Sequence, residues 1–428
     1  MHKIHNHQHN GIIRIIQKDF FSVPVSIRVV GFSLFIFILG RWLGADVFFS
    51  LYIKSIVDKV FLISIIGAIL SLGKMFFSIP IGEIDDHANL KSVLFLSKFV
   101  YVIMGIFYVL AWVYDSTILL ILAVILNGLG TASLLTTYQT FIRKHTRAQK
   151  RWKVFGFYFS IINLAYIIGA LISAYLITIM DLHHLFIFIP IFALLSLLTD
   201  NKLPSLSKWK IKEFLQGESF TQRFFHEVFS FRAIKKVITT LKTYSSRMYY
   251  ALGFEALFNL LNYIGFIFIP IVSIANNLSL SQVAIVFAAM RLPYLIDFFT
   301  GDIAKNGSKR KFLFIVLLFL SLLYLLLGYN EWFRNIMIIT LGISLGLSLM
   351  RPVISAYVSD CTRPEDEGTM TWVGEFIGKL WEIIGVLWFG ISSAIFGLQA
   401  SFIVIGIVIM LVAIAGIIKR FWFFKEMK

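Results

Sequence analysis

The sequence predicts an all-α membrane protein, with twelve transmembrane helices in two pseudo-symmetric six-helix halves. Three observations predict it: the apolar share of the chain, the spacing of its apolar runs, and a charged decapeptide that recurs between those runs. Of 428 residues, 58% are hydrophobic and 14% are charged, and mean hydropathy is +0.84. A water-soluble domain of this size does not carry so much apolar surface, so the bilayer is the solvent that the composition demands. The 44 Phe and nine Trp suit lipid-facing helices and interfacial belts.

A crossing helix needs about 20 mainly apolar residues. Residues 1–28 are polar and basic, form a tail, and show no cleavable leader pattern. The first six runs lie near 29–53, 57–80, 92–112, 117–142, 154–178 and 184–199, the sixth short enough to extend into its polar flanks. A basic linker occupies 200–248. The second six runs lie near 249–275, 282–300, 312–329, 335–358, 372–396 and 401–418, followed by a tail over 419–428. The halves are therefore 29–199 and 249–418.

Lys and Arg gather on cytoplasmic loops. With the N-terminus inside, most of the 39 Lys and Arg fall on that face, and Lys54, Lys59 and Arg334 fall on the other. The expected setting is a cytoplasmic (plasma or inner) membrane with both termini cytoplasmic. Basic charge dispersed over loops of one membrane face argues against nucleic-acid binding. No phosphate-binding loop, catalytic triad pattern or metal-ligand cluster is visible, so neither enzyme activity nor a cofactor is expected. Cys361 is the sole cysteine, so the chain makes no internal disulfide.

The decapeptide "GEIDDHANLK" (82–91) follows the second run, and "GDIAKNGSKR" (301–310) follows the eighth. Aligning Gly82 with Gly301 also sets Ile84 on Ile303 and Lys91 on Arg310. A small slip then sets Gly130 on Gly346, Thr146 on Thr362 and Arg147 on Arg363. Two six-span halves in parallel topology are the economical explanation.

Over nearly its whole length the chain resembles the major facilitator superfamily, whose hallmark is a cytoplasmic G-x-L-A-D-R-x-G-R-K turn between spans 2 and 3, echoed between spans 8 and 9. Gly82, Ile84, Asp86 and Lys91 match it. His87, Asn89 and Leu90 depart from it, as does Lys305 in the echo. The resemblance implies a secondary transporter that works by alternating access. It makes Gly82, Asp86, Lys91, Gly301 and Arg310 a cytoplasmic gate, with Gly82 allowing two helix ends to approach and Asp86 facing a helix N-terminus. The plainer alternative is a solvated turn.

Charges within spans are expensive and usually face a cavity or a partner. Arg41 and Asp46 lie in span 1, Lys74 in span 2, Glu255 in span 7, and Arg291 and Asp297 in span 8. Arg351 lies in span 10, and Glu375, Lys379 and Glu382 lie in span 11. Spans 6, 9 and 12 carry none, and Lys98 in span 3 lies near enough to its end to snorkel. In the family, spans 3, 6, 9 and 12 are the outer ones, so the charge pattern agrees with the resemblance. The expected substrate cavity contains Arg41, Asp46, Glu255, Asn259, Asn262, Arg291 and Arg351.

Two readings stand for most of these groups. Arg41 and Arg351 present guanidinium groups to an anionic solute, or each pairs with a resident carboxylate such as Asp46 or Glu255. Glu255 and Glu382 exchange protons as access alternates, or they are structural. For Glu382 the structural reading has a specific partner, because Lys379 is three residues away on the same helix face. Asn259, Asn262, Tyr138 and Gln139 either bind solute or join helices. Gly128, Gly130, Gly342 and Gly346 suit close helix packing.

The tail histidines His2, His5, His7 and His9 form a solvated run, with loose metal binding as the other possibility. Basic and aromatic residues alternate in the linker, which suits helices lying on an anionic leaflet. The expected partners are a small organic solute, protons and membrane lipids, with the chain a monomer. Alternatives are efflux of hydrophobic compounds, lipid flipping, and a sensor of the same fold that transports nothing.

Overall fold

A computed structural model describes residues 25–87, 90–146, 151–200, 239, 242–295, 309–363 and 367–426. The His-rich tail and most of the linker, including its basic aromatic segments, lie outside the described residues. The described chain is built of helices that follow the sequence spans. α1 comprises Val25–Leu43 and Ala45–Ile56. It is followed by α2 (Val60–His87), α3 (Leu90–Val113), α4 (Thr117–His145) and α5 (Arg151–Leu176). A short 3-10 turn (Leu182–Ile187) leads into α6 (Phe188–Asp200). The second half holds α7 (Ser246–Ala275), α8 (Leu280–Arg291), α9 (Lys309–Tyr329), α10 (Phe333–Cys361), α11 (Glu367–Phe396) and α12 (Leu398–Glu426). Eleven of these segments are long and apolar enough to cross a membrane, and Leu280–Leu295 is a shorter apolar helix among the described residues.

Small residues set the packing within each half. A Cβ on Gly128 would lie 2.9 Å from the Gly73 Cα, so α4 and α2 touch backbone to backbone. Gly130 accepts the ring edge of Tyr101, and Gly346 accepts Leu320. The two halves meet along α2 against α11 and α5 against α8.

α1 is one run in the sequence but two helices in space, broken at Gly44. A Cβ there would lie 2.8 Å from the Leu185 carbonyl carbon, so glycine permits the 3-10 turn to approach. The break leaves helix carbonyls without partners. Ser173 of α5 donates toward both Trp42 O (2.9 Å) and Leu43 O (2.7 Å).

Three expectations need correction. α2 stays helical through Gly82 to His87, so Gly82 does not open a turn. Nothing in Glu83–His87 breaks a helix, and one glycine is a tolerated cost. α6 ends at Asp200 and therefore includes a charge that the sequence assigned to the linker. The eighth span is not continuous either. α8 stops at Arg291, and Pro293, which has no backbone N–H, begins a 3-10 turn to Leu295.

Candidate functional site: a charged chamber between the halves

The chamber follows from one face of α10. Ser344, Ser348, Arg351 and Ser355 recur at helical spacing along it. Ser344 and Ser348 are buried, at 1% exposure each, whereas Arg351 and Ser355 are exposed. Yet the Arg351 guanidinium sits 5.0 Å from the ring of Phe159 on α5, in the other half. The space between the halves therefore opens toward the end of the bundle where α1 begins and α12 ends. At the opposite end the halves touch. Phe49 of α1 stacks on Phe266 of α7 at 6.3 Å. Tyr263 of α7 donates to Gly67 O of α2 at 2.7 Å, and Gly390 of α11 abuts Ser64 of α2.

On the first half, Arg41 donates to Asp46 Oδ1 (2.7 Å) and to the Tyr101 hydroxyl (2.9 Å), with the ion pair buried. Residues five apart are not neighbours on a regular helix; the break at Gly44 brings these two together. The network continues from Tyr101 to Thr131 (2.7 Å) and Asn127 (3.0 Å). Arg41 is thus already neutralised.

On the second half, Asn259 donates to Glu255 Oε1 at 2.9 Å. None of the ion pairs among the described residues includes Glu255, Arg291 or Arg351. Arg351 and Lys379 both lie within electrostatic reach of Glu255, as does Glu375. Glu382 differs from Glu255, being held by Lys379 (2.6 Å) and by Ser71 of the other half (2.8 Å). Lys74 lies 5.6 Å from the Tyr263 ring.

Arg291 has an unusual surrounding. Its guanidinium lies 4.9 Å from the ring of Trp42, 4.8 Å from Tyr166 and 5.6 Å from Tyr294. Cation–π contacts of this kind supply about 0.5–2 kcal/mol each. Tyr294 also donates to Asn262 Oδ1 at 3.4 Å. Sequence reasoning named Arg291 and Asn262 but missed the rings, because aromatic residues occur in nearly every span and carry no periodic signal.

Lys98 does not snorkel, contrary to expectation. It is fully buried and donates to Asp200 Oδ2 (2.5 Å) and to Ser33 Oγ (2.6 Å). Ser33 donates in turn to Asp200 Oδ1 at 2.6 Å. The carboxylate at the end of α6 holds the ammonium inside, so snorkelling would break a desolvated pair.

Of the expected gate, the side chain of Asp86 and all of Gly301 lie outside the described residues, as does Asp297, while Gly82 is part of α2. Lys91 begins α3. Arg310 lies 3.8 Å from the ring of Tyr250. The neighbouring Lys309 pairs with Asp360 of α10.

Two helical halves with charged residues along their junction have the architecture of a membrane transporter. The sequence profile of the Major Facilitator Superfamily matches residues 30–293. The chain belongs to that superfamily. Solved transporters share the fold. A POT family transporter in complex with 5-aminolevulinic acid aligns with TM-score 0.74 at 14% identity, covering 93% of this chain and 96% of the other. A POT family transporter with a thioalcohol conjugated peptide aligns with TM-score 0.74 at 15% identity, covering 94% and 97%. The human organic anion transporter MFSD10 aligns with TM-score 0.64 at 14% identity, covering 92% and 100%. No curated protein sequence matches the chain significantly.

Proposed function

We propose that the protein moves a small polar organic solute together with protons across a cytoplasmic membrane, by rocking its two halves about the central chamber. The observation that carries this reading is Glu255. It is a half-buried carboxyl on the chamber wall, hydrogen-bonded to Asn259 and free of any ion pair among the described residues. Such a group takes up and releases a proton as access alternates. Glu382 is the weaker candidate because Lys379 and Ser71 already satisfy it. Arg351 and Asn259 border the same space and supply solute contacts. The ligands and activity named for the solved relatives, 5-aminolevulinic acid, a conjugated peptide and organic anions, are small and polar, in keeping with this choice.

With both termini cytoplasmic, the chamber is inward-open. The Gly82, Asp86, Lys91, Gly301 and Arg310 segments then form the gate that closes it.

The test is proton movement in liposomes containing purified protein and a trapped pH-sensitive dye. 5-Aminolevulinic acid, alanylalanine and benzoate serve as probe solutes. Addition of a transported solute should acidify the lumen, and Glu255→Gln should abolish acidification while retaining exchange of labelled solute. Full solute-driven acidification by Glu255→Gln would remove the coupling role. No flux of any probe by wild type would count against this solute class.

A further inference from the structure

Arg291 is a cation in mid-bundle with no counter-ion among the described residues. Its Nε is buried and has no hydrogen-bond partner, and no carboxylate pairs with it among the described residues. Arg41, in a comparable position on the other half, has Asp46. The contrast matters because an intramembrane guanidinium is costly and is ordinarily retained with a partner or for a function. Local compensation exists but is modest. The guanidinium stands at the C-terminal end of α8, where helix carbonyls carry partial negative charge. One of those carbonyls, Met290 O, is already taken by the Ser344 hydroxyl.

The surroundings are built for an organic body with a charged end. A small cavity beside Arg291 is lined by Phe266, Phe287, Met290 and Leu347 on its apolar side and by Asn262 and Ser344 on its polar side. Its volume is about 10 Å³, room for about one water. A solute does not fit there in this conformation.

What closes it is specific. Trp42 and Tyr166 belong to the first half, while Arg291 and Tyr294 belong to the second. Trp42 also meets Phe287 edge-on at 5.9 Å, so the indole spans the junction of α1 and α8. In the rocking motion proposed above, α1 and α5 move relative to α8 and carry the rings away from the guanidinium.

We propose that Arg291 binds the anionic group of the solute, a carboxylate or a phosphate monoester, and that Trp42 and Tyr166 seal this site in the present conformation. Rings and anion thus cover the same cation in turn. The proposal rests on the transport reading above and adds to it the charge class of the solute and the residue that selects it. Arg suits this role better than Lys because its planar fork meets two oxygens at once while its faces stay against rings.

The test uses the purified full-length protein in detergent, with benzoate, phenyl phosphate and uncharged benzamide as probes and thermal stabilisation as the readout. Benzoate or phenyl phosphate should stabilise wild type in a saturable manner, and benzamide should not. Which anion binds more tightly decides between a carboxylate and a phosphate group. Arg291→Gln should lose the response, whereas Arg334→Gln, at the exposed start of α10, should keep it. Trp42→Leu should tighten the apparent Kd by roughly three- to tenfold, because the competing cation–π contact is gone. Tyr166→Leu serves the same purpose if Trp42→Leu does not fold, and Arg291→Lys, expected to weaken binding, replaces Arg291→Gln in the same event.

An undiminished response in Arg291→Gln overturns the proposal. So does equal stabilisation by benzamide, or no response of wild type to either anion. Unchanged or weaker binding in Trp42→Leu and Tyr166→Leu refutes the seal. Failure of liposome flux with intact Arg291-dependent binding would sink the transport reading and leave the anion site standing. Flux without anion binding would do the reverse.

Discussion

At the scale of single residues, the buried charges differ in what neutralises them. Lys98 and Asp200 neutralise each other inside the first half, with Ser33 bridging. Removing one partner of such a pair leaves a desolvated charge and costs roughly 3–5 kcal/mol, while replacing both with apolar groups is often near neutral. Asp200→Asn should therefore lower the unfolding temperature in detergent far more than Lys98→Met combined with Asp200→Leu. Similar losses in the single and the double variant would show that the pair is not the cause. The pairing was not legible in the sequence, because Asp200 stands where the apolar run gives way to the linker. The same holds for Arg41 with Asp46, whose spacing suits no regular helix face. Lys379 with Glu382 was legible, since residues three apart meet on any helix.

At the scale of elements, interruptions matter more than lengths. α1 breaks at Gly44 and α8 stops at Arg291, and each interruption lies beside an arginine, Arg41 buried and Arg291 half-buried. Ser173 satisfies the carbonyls that the first break exposes. Ser173→Ala should cost about 1–3 kcal/mol through the unpaired carbonyls and should speed hydrogen exchange at residues 45–48, just past the break. Unchanged exchange there would mean that the break holds without its clamp. Helix number, order and approximate ends were legible from the apolar runs. The breaks were not. Glycine is common in membrane helices, and what selects Gly44 is the approach of Leu185, which no local pattern reports.

At the scale of the whole molecule, the proposed rocking requires the halves to separate where they now touch. A Cβ at Gly390 would lie 2.5 Å from the Ser64 Cβ, and a disulfide places its Cβ atoms about 3.8 Å apart, so a small shift accommodates a cross-link. In a Cys361→Ser background, Ser64→Cys with Gly390→Cys should stop solute-driven proton flux on oxidation and regain it on reduction. Flux through a fully cross-linked population would mean that this end does not open. Two halves were legible from the recurring decapeptides and the mid-span charges. Which end stands open was not, because apolar runs and mid-span charges report helices and halves but not how the halves tilt against each other.

The Lys98–Asp200 pair has a consequence for how the chain is made. The two residues are 102 positions apart, so at about 5–20 residues per second the ribosome needs roughly 5–20 s to synthesise the carboxylate after the lysine. During that interval α3 holds an ammonium with no counter-charge. The first half reaches its lowest free energy only when its last helix arrives. A nascent chain that stops short of Asp200 therefore carries an uncompensated charge within α3.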